Sequence, residues 1–328
     1  MRYAYLGPEG TFTEAALKSM PPGSEPAEAV PCPTVQGALA AVREGSAQRA
    51  VVPLESSVEG IVTATVDDLA AAADLIIISE LQLPIAFALL TSGAAALSDI
   101  KTVGGHPQAL AQCRHWLHDR LPHAEQIPAA SNAEAARQVA EGTLDAALAG
   151  SFAAERYGLT ITEDDVQDSS AAVTRFVVVG PAGEPLPAPT SVDRTSLAVF
   201  LTEDHAGALT EILTEFAVRG INLTTIQSRP TGEGLGRYYF FIDCEGHLDD
   251  ARVGEALMGL RRVCGDVRFL GSYPRCDGGA THVRPGTSDQ EFAEAAAWLG
   301  RLRFGRSLPA GAGFLGLWSP GSQENHYR

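Results

Sequence analysis

Lysine is almost missing from this chain: Lys18 and Lys101 stand alone among 328 residues, and the other basic groups are arginines. A Schiff-base or phosphate-loop lysine would have to be one of these two. Neither sits in a glycine-rich loop of the required spacing, which removes both kinds of chemistry. Cysteine is sparse as well. Cys32, Cys113, Cys244, Cys264 and Cys276 lie far apart and form no C-x-x-C pair, so neither a disulfide framework nor a zinc site is expected, and a reduced, cytoplasmic setting is. No run approaches the ~18 apolar residues of a membrane span. The longest apolar region, Leu81–Leu90, is broken by Gln82 and Pro84. The start of the chain reaches Gly7-Pro8 before a leader-like apolar stretch is complete, so no leader is expected. Positive charge is also short. Lys and Arg number 24 against 40 Asp and Glu, a net charge of −16, and that field speaks against nucleic acid or an anionic membrane as partner.

What is present is enough apolar residue, 45%, for packed cores, in a length that suggests two or three domains. Before residue 180, short apolar runs alternate with amphipathic stretches. Strands are expected at Arg2–Leu6, Arg49–Val52, Leu75–Ser79, Thr102–Val103, Ala146–Ala149 and Arg175–Val179, with helices at Thr13–Ser19, Val35–Glu44, Thr63–Ala72, Ala109–Leu121 and Asn132–Glu141. Repeated β-α-β units of this kind predict mainly parallel sheets in an α/β region. Six of the ten residues 180–189 are Pro or Gly, the composition of a linker. After it the pattern tightens to strand Ser196–Leu201, helix Gly207–Val218, strands Asn222–Ser228 and Arg237–Cys244, helix Asp249–Val263 and strand Val267–Ser272. That order is the ferredoxin-like βαββαβ arrangement. The expected organisation is an α/β region over 1–180, a linker over 181–194, the small module over 195–273, and a partly helical, mobile tail over 274–328.

Several motifs carry little. Gly311 to Gly316 spell G-x-G-x-x-G, but the β-α-β context that aims a helix N-terminus at a pyrophosphate is missing. His106, His115, His118 and His123 lack the acidic or cysteine companions of a metal site, so no metal or other cofactor is expected. No G-x-S-x-G elbow is present. Four stretches say more. Gly7–Thr13, Pro53–Gly60 and Ser131-Asn132, with Gln138 further along its helix, place hydroxyls and amides where a strand gives way to a helix, a place that favours anions and also one where such residues serve as caps. Ser169–Phe176 sets Thr174 beside Arg175 at a strand entrance. A proton donor next to a bidentate carboxylate clamp suits elimination from a carboxylate-bearing substrate.

Over residues 1 to about 272 the chain resembles the prephenate dehydratase family. Tyr5–Phe12 looks like the family's opening, His106–Cys113 its middle segment and Thr174-Arg175-Phe176 its catalytic triplet. The module after the linker resembles an ACT domain through Gly207-Ala208-Leu209 and Ser228-Arg229-Pro230. The resemblance implies two α/β lobes of the periplasmic-binding-protein type with the site in the cleft between them. It implies conversion of prephenate to phenylpyruvate, water and carbon dioxide without a cofactor, feedback regulation by phenylalanine, and assembly into a homodimer or homotetramer. No chorismate mutase segment is expected ahead of the first strand. By resemblance Thr174 is the proton donor, and Thr11, Glu55, Ser56, Ser57, Ser131, Asn132, Gln138, Arg175 and Phe176 surround the substrate. Gly207, Ala208, Leu209, Asn222, Gln227, Ser228, Arg229 and Pro230 would hold the effector. Two departures stand out. Ser56 replaces the family's usual asparagine, a change worth about 1–3 kcal/mol if a buried hydrogen bond is lost, and Gln227 replaces a glutamate. Ser56 keeps a second reading open, a paralogue that decarboxylates prephenate without aromatising it. A third is an inactive phenylalanine-binding regulator.

Overall fold

The computed structural model describes residues 1–304 apart from positions 22, 25, 235, 280 and 282, so the glycine motif at 311–316 lies outside the described residues. The first lobe begins with β1 (Arg2–Leu6), α1 (Phe12–Lys18), β2 (Glu28–Cys32), α2 (Val35–Arg43), β3 (Arg49–Ser56), β4 (Gly60–Ile61), α3 (Thr63–Ala71) and β5 (Leu75–Pro84). The second lobe holds β6 (Ala88–Thr91), β7 (Thr102–Gly105), α4 (Pro107–Gln112), α5 (Arg114–Arg120), β8 (Glu125–Pro128), α6 (Asn132–Ala140), β9 (Ala146–Ala149), α7 (Phe152–Tyr157) and β10 (Thr160–Glu163). β11 (Val173–Pro181) then returns to the first lobe, whose sheet runs β2-β1-β3-β11-β5, with β4 paired to β3. The second sheet runs β10-β6-β9-β7-β8.

These sheets are mixed rather than mainly parallel. β11 is antiparallel to both β3 and β5, and β6 is antiparallel to both β9 and β10. The reason is the double crossing between lobes. A strand that enters a lobe from the cleft runs away from it, while the strands of the local β-α units run toward it. Their C-terminal ends therefore meet at the cleft, the place where open α/β sheets bind ligands.

The C-terminal module follows as β12 (Asp193–Phe200), α8 (Ala208–Ala217), β13 (Leu223–Pro230), β14 (Tyr238–Glu245), α9 (Ala251–Val263) and β15 (Asp266–Pro274), in sheet order β13-β14-β12-β15. Its helices cover one face, with Ile212, Phe216, Val253 and Leu260 buried against Leu197, Val199 and Ile242. The other face lies on the first lobe. Ala198, Tyr239, Phe241, Leu270 and Tyr273 share one core with Leu39, Val52, Leu69, Ile77 and Val177. A Cβ at Gly271, where φ is +140°, would lie 2.1 Å from the Ile77 carbonyl oxygen, so β15 reaches β5 backbone to backbone.

The proline-rich segment between β11 and β12 is tied down. Arg49 grips Glu184 through two bonds of 2.6 and 3.1 Å, the Ala182 N–H donates to Asp74 O at 2.8 Å, and His247 Nε2 lies 3.0 Å from Pro187 O. In the tail, α10 (Asp289–Phe304) opens with a capping box formed by Ser288 and Glu291. The Asp289 carboxylate accepts from the Ala251 N–H at 2.8 Å, which holds α10 to the start of α9.

Candidate active site

The cleft is bounded on the first lobe by the α1 N-terminus, the loop after β3 and the start of β11, and on the second by the ends of β7, β8 and β9. Rings cross it. Phe12 meets Phe87 at 5.5 Å and Phe152 at 5.2 Å, both edge to face. The Tyr157 hydroxyl donates to Glu9 O at 2.7 Å, Glu9 and Arg156 form an ion pair, and Gln112 donates to Glu59 at 3.3 Å. A Cβ at Gly10, where φ is +83°, would press on the Tyr157 ring at 2.9 Å. These residues were missed as functional from the sequence, although Phe12 and Gly10 sit inside the opening motif.

Several of the expected site residues do gather here. Thr11 and Ser131 act as caps. Thr11 Oγ1 accepts from the Glu14 N–H (3.4 Å) and donates to Leu6 O (3.2 Å), and Ser131 Oγ accepts from the Glu134 N–H (3.0 Å). Asn132 Oδ1 accepts from the His106 N–H at 2.8 Å, which joins the ends of β7 and β8. Gln138 donates to Glu134 at 3.1 Å, and the Arg137 bond to Glu134 holds that carboxyl below its usual range. Ser57 clamps the start of β11: its N–H donates to Val173 O (2.9 Å), and the Val173 N–H donates to Ser57 Oγ (3.0 Å). Ser56 Oγ accepts from the N–H groups of Val58 and Glu59, each at 3.3 Å. That turn is one an asparagine makes equally well, so the exchange at position 56 swaps one turn former for another.

Thr174 lies opposite Ser56 in the β3–β11 register. On β11, Phe176 and Val178 pack toward α1 with Tyr5, Leu17 and Leu81, while Val177 and Val179 pack toward the regulatory module. Alternation puts Thr174 on the α1 side. Among the described residues its half-buried hydroxyl takes part in no hydrogen bond.

Three expected substrate contacts are corrected by this geometry. Arg175 points the other way, into the regulatory module. Its Nη2 donates to Asp243 at 2.5 Å and to Glu55 at 2.9 Å, and its Nη1 to Glu80 at 3.3 Å. Burial alone would lower its pKa, but the carboxylates of Asp243, Glu80 and Glu55, with the Tyr273 phenol, hold it well above the ordinary arginine value. A guanidinium so occupied is no substrate clamp. Glu55 faces the same side because a bulge in the pairing, between Arg175 and Phe176, re-aims it. Phe176 is sealed in the core beneath α1, where it packs rather than binds.

The expected effector residues divide in two. Gly207, with φ +98°, opens α8 beside buried Ala208 and exposed Leu209, at the same end of the sheet as Gln227 to Pro230 on β13. A cavity of about 200 Å³ touches this end through Leu201, His205, Ala208 and Glu211. Asn222 sits at the far end, where its side chain donates to Glu245 at 3.1 Å. Arg229 grips Asp67 of α3 at 3.0 and 2.6 Å, and the Tyr239 hydroxyl donates to the same carboxylate at 2.7 Å. A cavity of about 640 Å³ lies beside this contact, between α3 and Phe200, Glu203, Pro230 and Arg268.

Two α/β lobes with a hydroxyl-lined cleft at their strand ends, joined to a βαββαβ module that shares the first lobe's core, define a cleft enzyme carrying a C-terminal regulatory domain. The prephenate dehydratase family model matches residues 3–184 and the ACT domain model residues 195–262. The prephenate dehydratase of Mycobacterium tuberculosis is 47% identical over 313 residues, which cover 93% of this chain and 95% of that protein. A solved prephenate dehydratase from Arthrobacter aurescens, in complex with L-Phe, is 45% identical with a TM-score of 0.87, covering 92% of this chain and 99% of that one. GqqA, described as a novel type of quorum-quenching acylase, is 29% identical with a TM-score of 0.75, covering 84% of this chain and 99% of its own. This chain belongs to the prephenate dehydratase family. A shared fold can carry different activities, so the chemistry is argued from the site.

Proposed function

We propose that the chain removes water and carbon dioxide from prephenate to give phenylpyruvate, in phenylalanine biosynthesis, with phenylalanine as feedback effector. As the carboxylate leaves as carbon dioxide, its bonding electrons enter the ring, the carbon–oxygen bond breaks, and the departing hydroxyl takes up a proton to leave as water. In this reading Thr174 Oγ1 supplies that proton or its hydrogen bond, and solvent restores it. The observation that carries the assignment is the Thr174 hydroxyl itself, free of hydrogen-bond partners among the described residues, at the cleft end of β11 and adjacent to the Ser57–Val173 clamp. Threonine is a weak acid, so its contribution depends on being held in place as negative charge develops on the leaving oxygen. With Arg175 occupied elsewhere, the substrate's carboxylates are met by the N-terminal turns of α1 and α6 and by the Ser57, Ser131 and Asn132 side chains.

Residues 1–180 are read as the catalytic part and 195–273 as the regulatory part. Assembly as a homodimer or homotetramer through the module belongs to the same reading, and the outer strand β13, with Ile226 exposed, supports it. Cytoplasmic residence also belongs to it, supported by five free cysteines and by the absence, among the described residues, of a helix long and apolar enough to cross a membrane. Incubating the purified protein with prephenate and identifying the product tests the activity. Phenylpyruvate is expected, formed more slowly when phenylalanine is added. A dihydro-hydroxyphenylpyruvate would mark a decarboxylase that does not aromatise, and unchanged prephenate an inactive regulator.

A further inference from the structure

The charges buried between the catalytic lobe and the regulatory module form one cluster. Glu80 and Asp243 are 0% exposed, Arg175 5% and Arg194 7%. Asp243, on β14, is the regulatory module's contribution to Arg175. Its orientation is fixed from behind: the Ser196 hydroxyl donates to Asp243 Oδ1 at 2.6 Å, and the Tyr273 hydroxyl donates to Ser196 Oγ at 2.7 Å. Glu80 is fixed in turn by Arg194 and by the Cys276 N–H at 2.9 Å. A buried ion cluster of this kind is poor value for stability alone, since apolar residues of similar volume often do as well or better. What it does supply is registry.

The registry falls on the reacting group. Val173 is held from the cleft by Ser57, and Arg175 is held from the regulatory side by Asp243. Thr174 is the residue between these two clamps. Because successive side chains of a strand point to opposite faces, turning Arg175 turns Thr174 with it. We propose that Asp243 is a positioning residue for the dehydration, acting through Arg175 to set the Thr174 hydroxyl, so that the regulatory module helps to build the catalytic geometry. The proposal rests on the dehydratase reading and deepens it.

The test uses the full chain and two substitutions, Asp243→Asn, which removes the charge, and Ser196→Ala, which keeps the charge but frees its orientation. For Asp243→Asn, kcat per folded enzyme falls about tenfold, short of the hundredfold that a 1 Å misplacement costs, while KM for prephenate stays within about twofold. Phenylalanine still binds, measured by calorimetry, yet inhibits less than in the wild type. Ser196→Ala lowers kcat about threefold with KM unchanged, as a partial loss of the same positioning. A purely structural role predicts something else: activity lost only in proportion to the unfolded fraction, with kcat of the folded enzyme and its phenylalanine inhibition unchanged. That result overturns the proposal. If Asp243→Asn does not fold, Ser196→Ala decides on the same two readouts. A wild-type enzyme that leaves prephenate untouched would sink the dehydratase reading instead, and that experiment comes first.

Discussion

β11 presents two faces that differ in how their polar groups are used. On the face toward α1, the Thr174 hydroxyl makes no hydrogen bond among the described residues, and the hydroxyl of nearby Ser57 accepts one bond and retains its proton. On the face toward the regulatory module, Arg175 spends its terminal nitrogens on three carboxylates. The first face is left unsatisfied where a ligand can complete it. The second is committed internally, with Arg175 Nε the atom left without a hydrogen bond, and joins two modules across a shared core. A polar residue near a cleft is thus assigned by what already occupies it, since a guanidinium whose two terminal nitrogens already serve three buried carboxylate partners has little left to offer a substrate.

The largest expected effect breaks the cleft face. Thr174→Ala lowers kcat by about 10²–10⁴-fold, the usual contribution of a positioned proton donor, with KM changed little because the donor matters in the transition state. Steady-state kinetics with prephenate reads this directly, and a near-normal kcat would remove Thr174 from the mechanism. The next effect breaks the opposite face. Gly271→Ala pushes a methyl group into the Ile77 carbonyl at a φ of +140°, so β15 has to separate from β5. Overpacking and backbone strain together cost about 2–4 kcal/mol. A melting curve that coincides with the wild type would show that the two backbones do not meet there.

A smaller change separates two roles for one residue. Arg175→Lys keeps the positive charge but loses the planar fork that serves three carboxylates. If Arg175 positions Thr174, kcat falls about tenfold, close to 1.4 kcal/mol, and KM holds. If it clamps the substrate, KM rises instead, and the separation of the two faces fails.

Part of the element order was legible from apolar periodicity and turn residues: helix Val35–Glu44 is found at Val35–Arg43, and the βαββαβ order of the module is present throughout, whereas β2, β4, β6, β8, β10 and α7 were not expected and the helix expected over Ala109–Leu121 is two, α4 and α5. The direction of β11 was not legible locally, since it follows from the chain crossing twice between lobes. Nor was the facing of Glu55, which depends on the bulge opposite Arg175 and Phe176. Arg175 is different. Once Thr174-Arg175-Phe176 is read as a strand, alternation already forbids Thr174 and Arg175 from lining the same pocket, and only the identity of the partner on the far face, Asp243, required the fold. The hydroxyls of Thr11 and Ser131 show the limit from the other side. Their caps are plain in the sequence, whereas the rings of Phe87 and Phe152, which both meet Phe12, come from segments 65 residues apart.

The smallest expected effect compares the buried junction of the modules with their rim. There Arg229 and Tyr239 meet Asp67, a carboxylate still 43% exposed at its side chain, so the pair is worth no more than about 1 kcal/mol. Burial tends to raise the Asp67 pKa, but the bonds from Arg229 and Tyr239 outweigh it and leave the carboxyl below the ordinary value of 3.8. A depressed folded-state pKa means that the stabilisation is complete above the unfolded value and is lost as pH falls through the folded one. Asp67→Asn therefore lowers the melting temperature slightly at pH 7 and leaves kcat unchanged, and its difference from the wild type shrinks once the pH drops below about 3.8, the aspartate reference value. A difference that stayed constant down to pH 2.5 would mean that the Asp67 charge contributes nothing at this rim, and that the modules are joined without it, by their shared core, the Arg175 cluster and the Arg268 bond to Ala70 O.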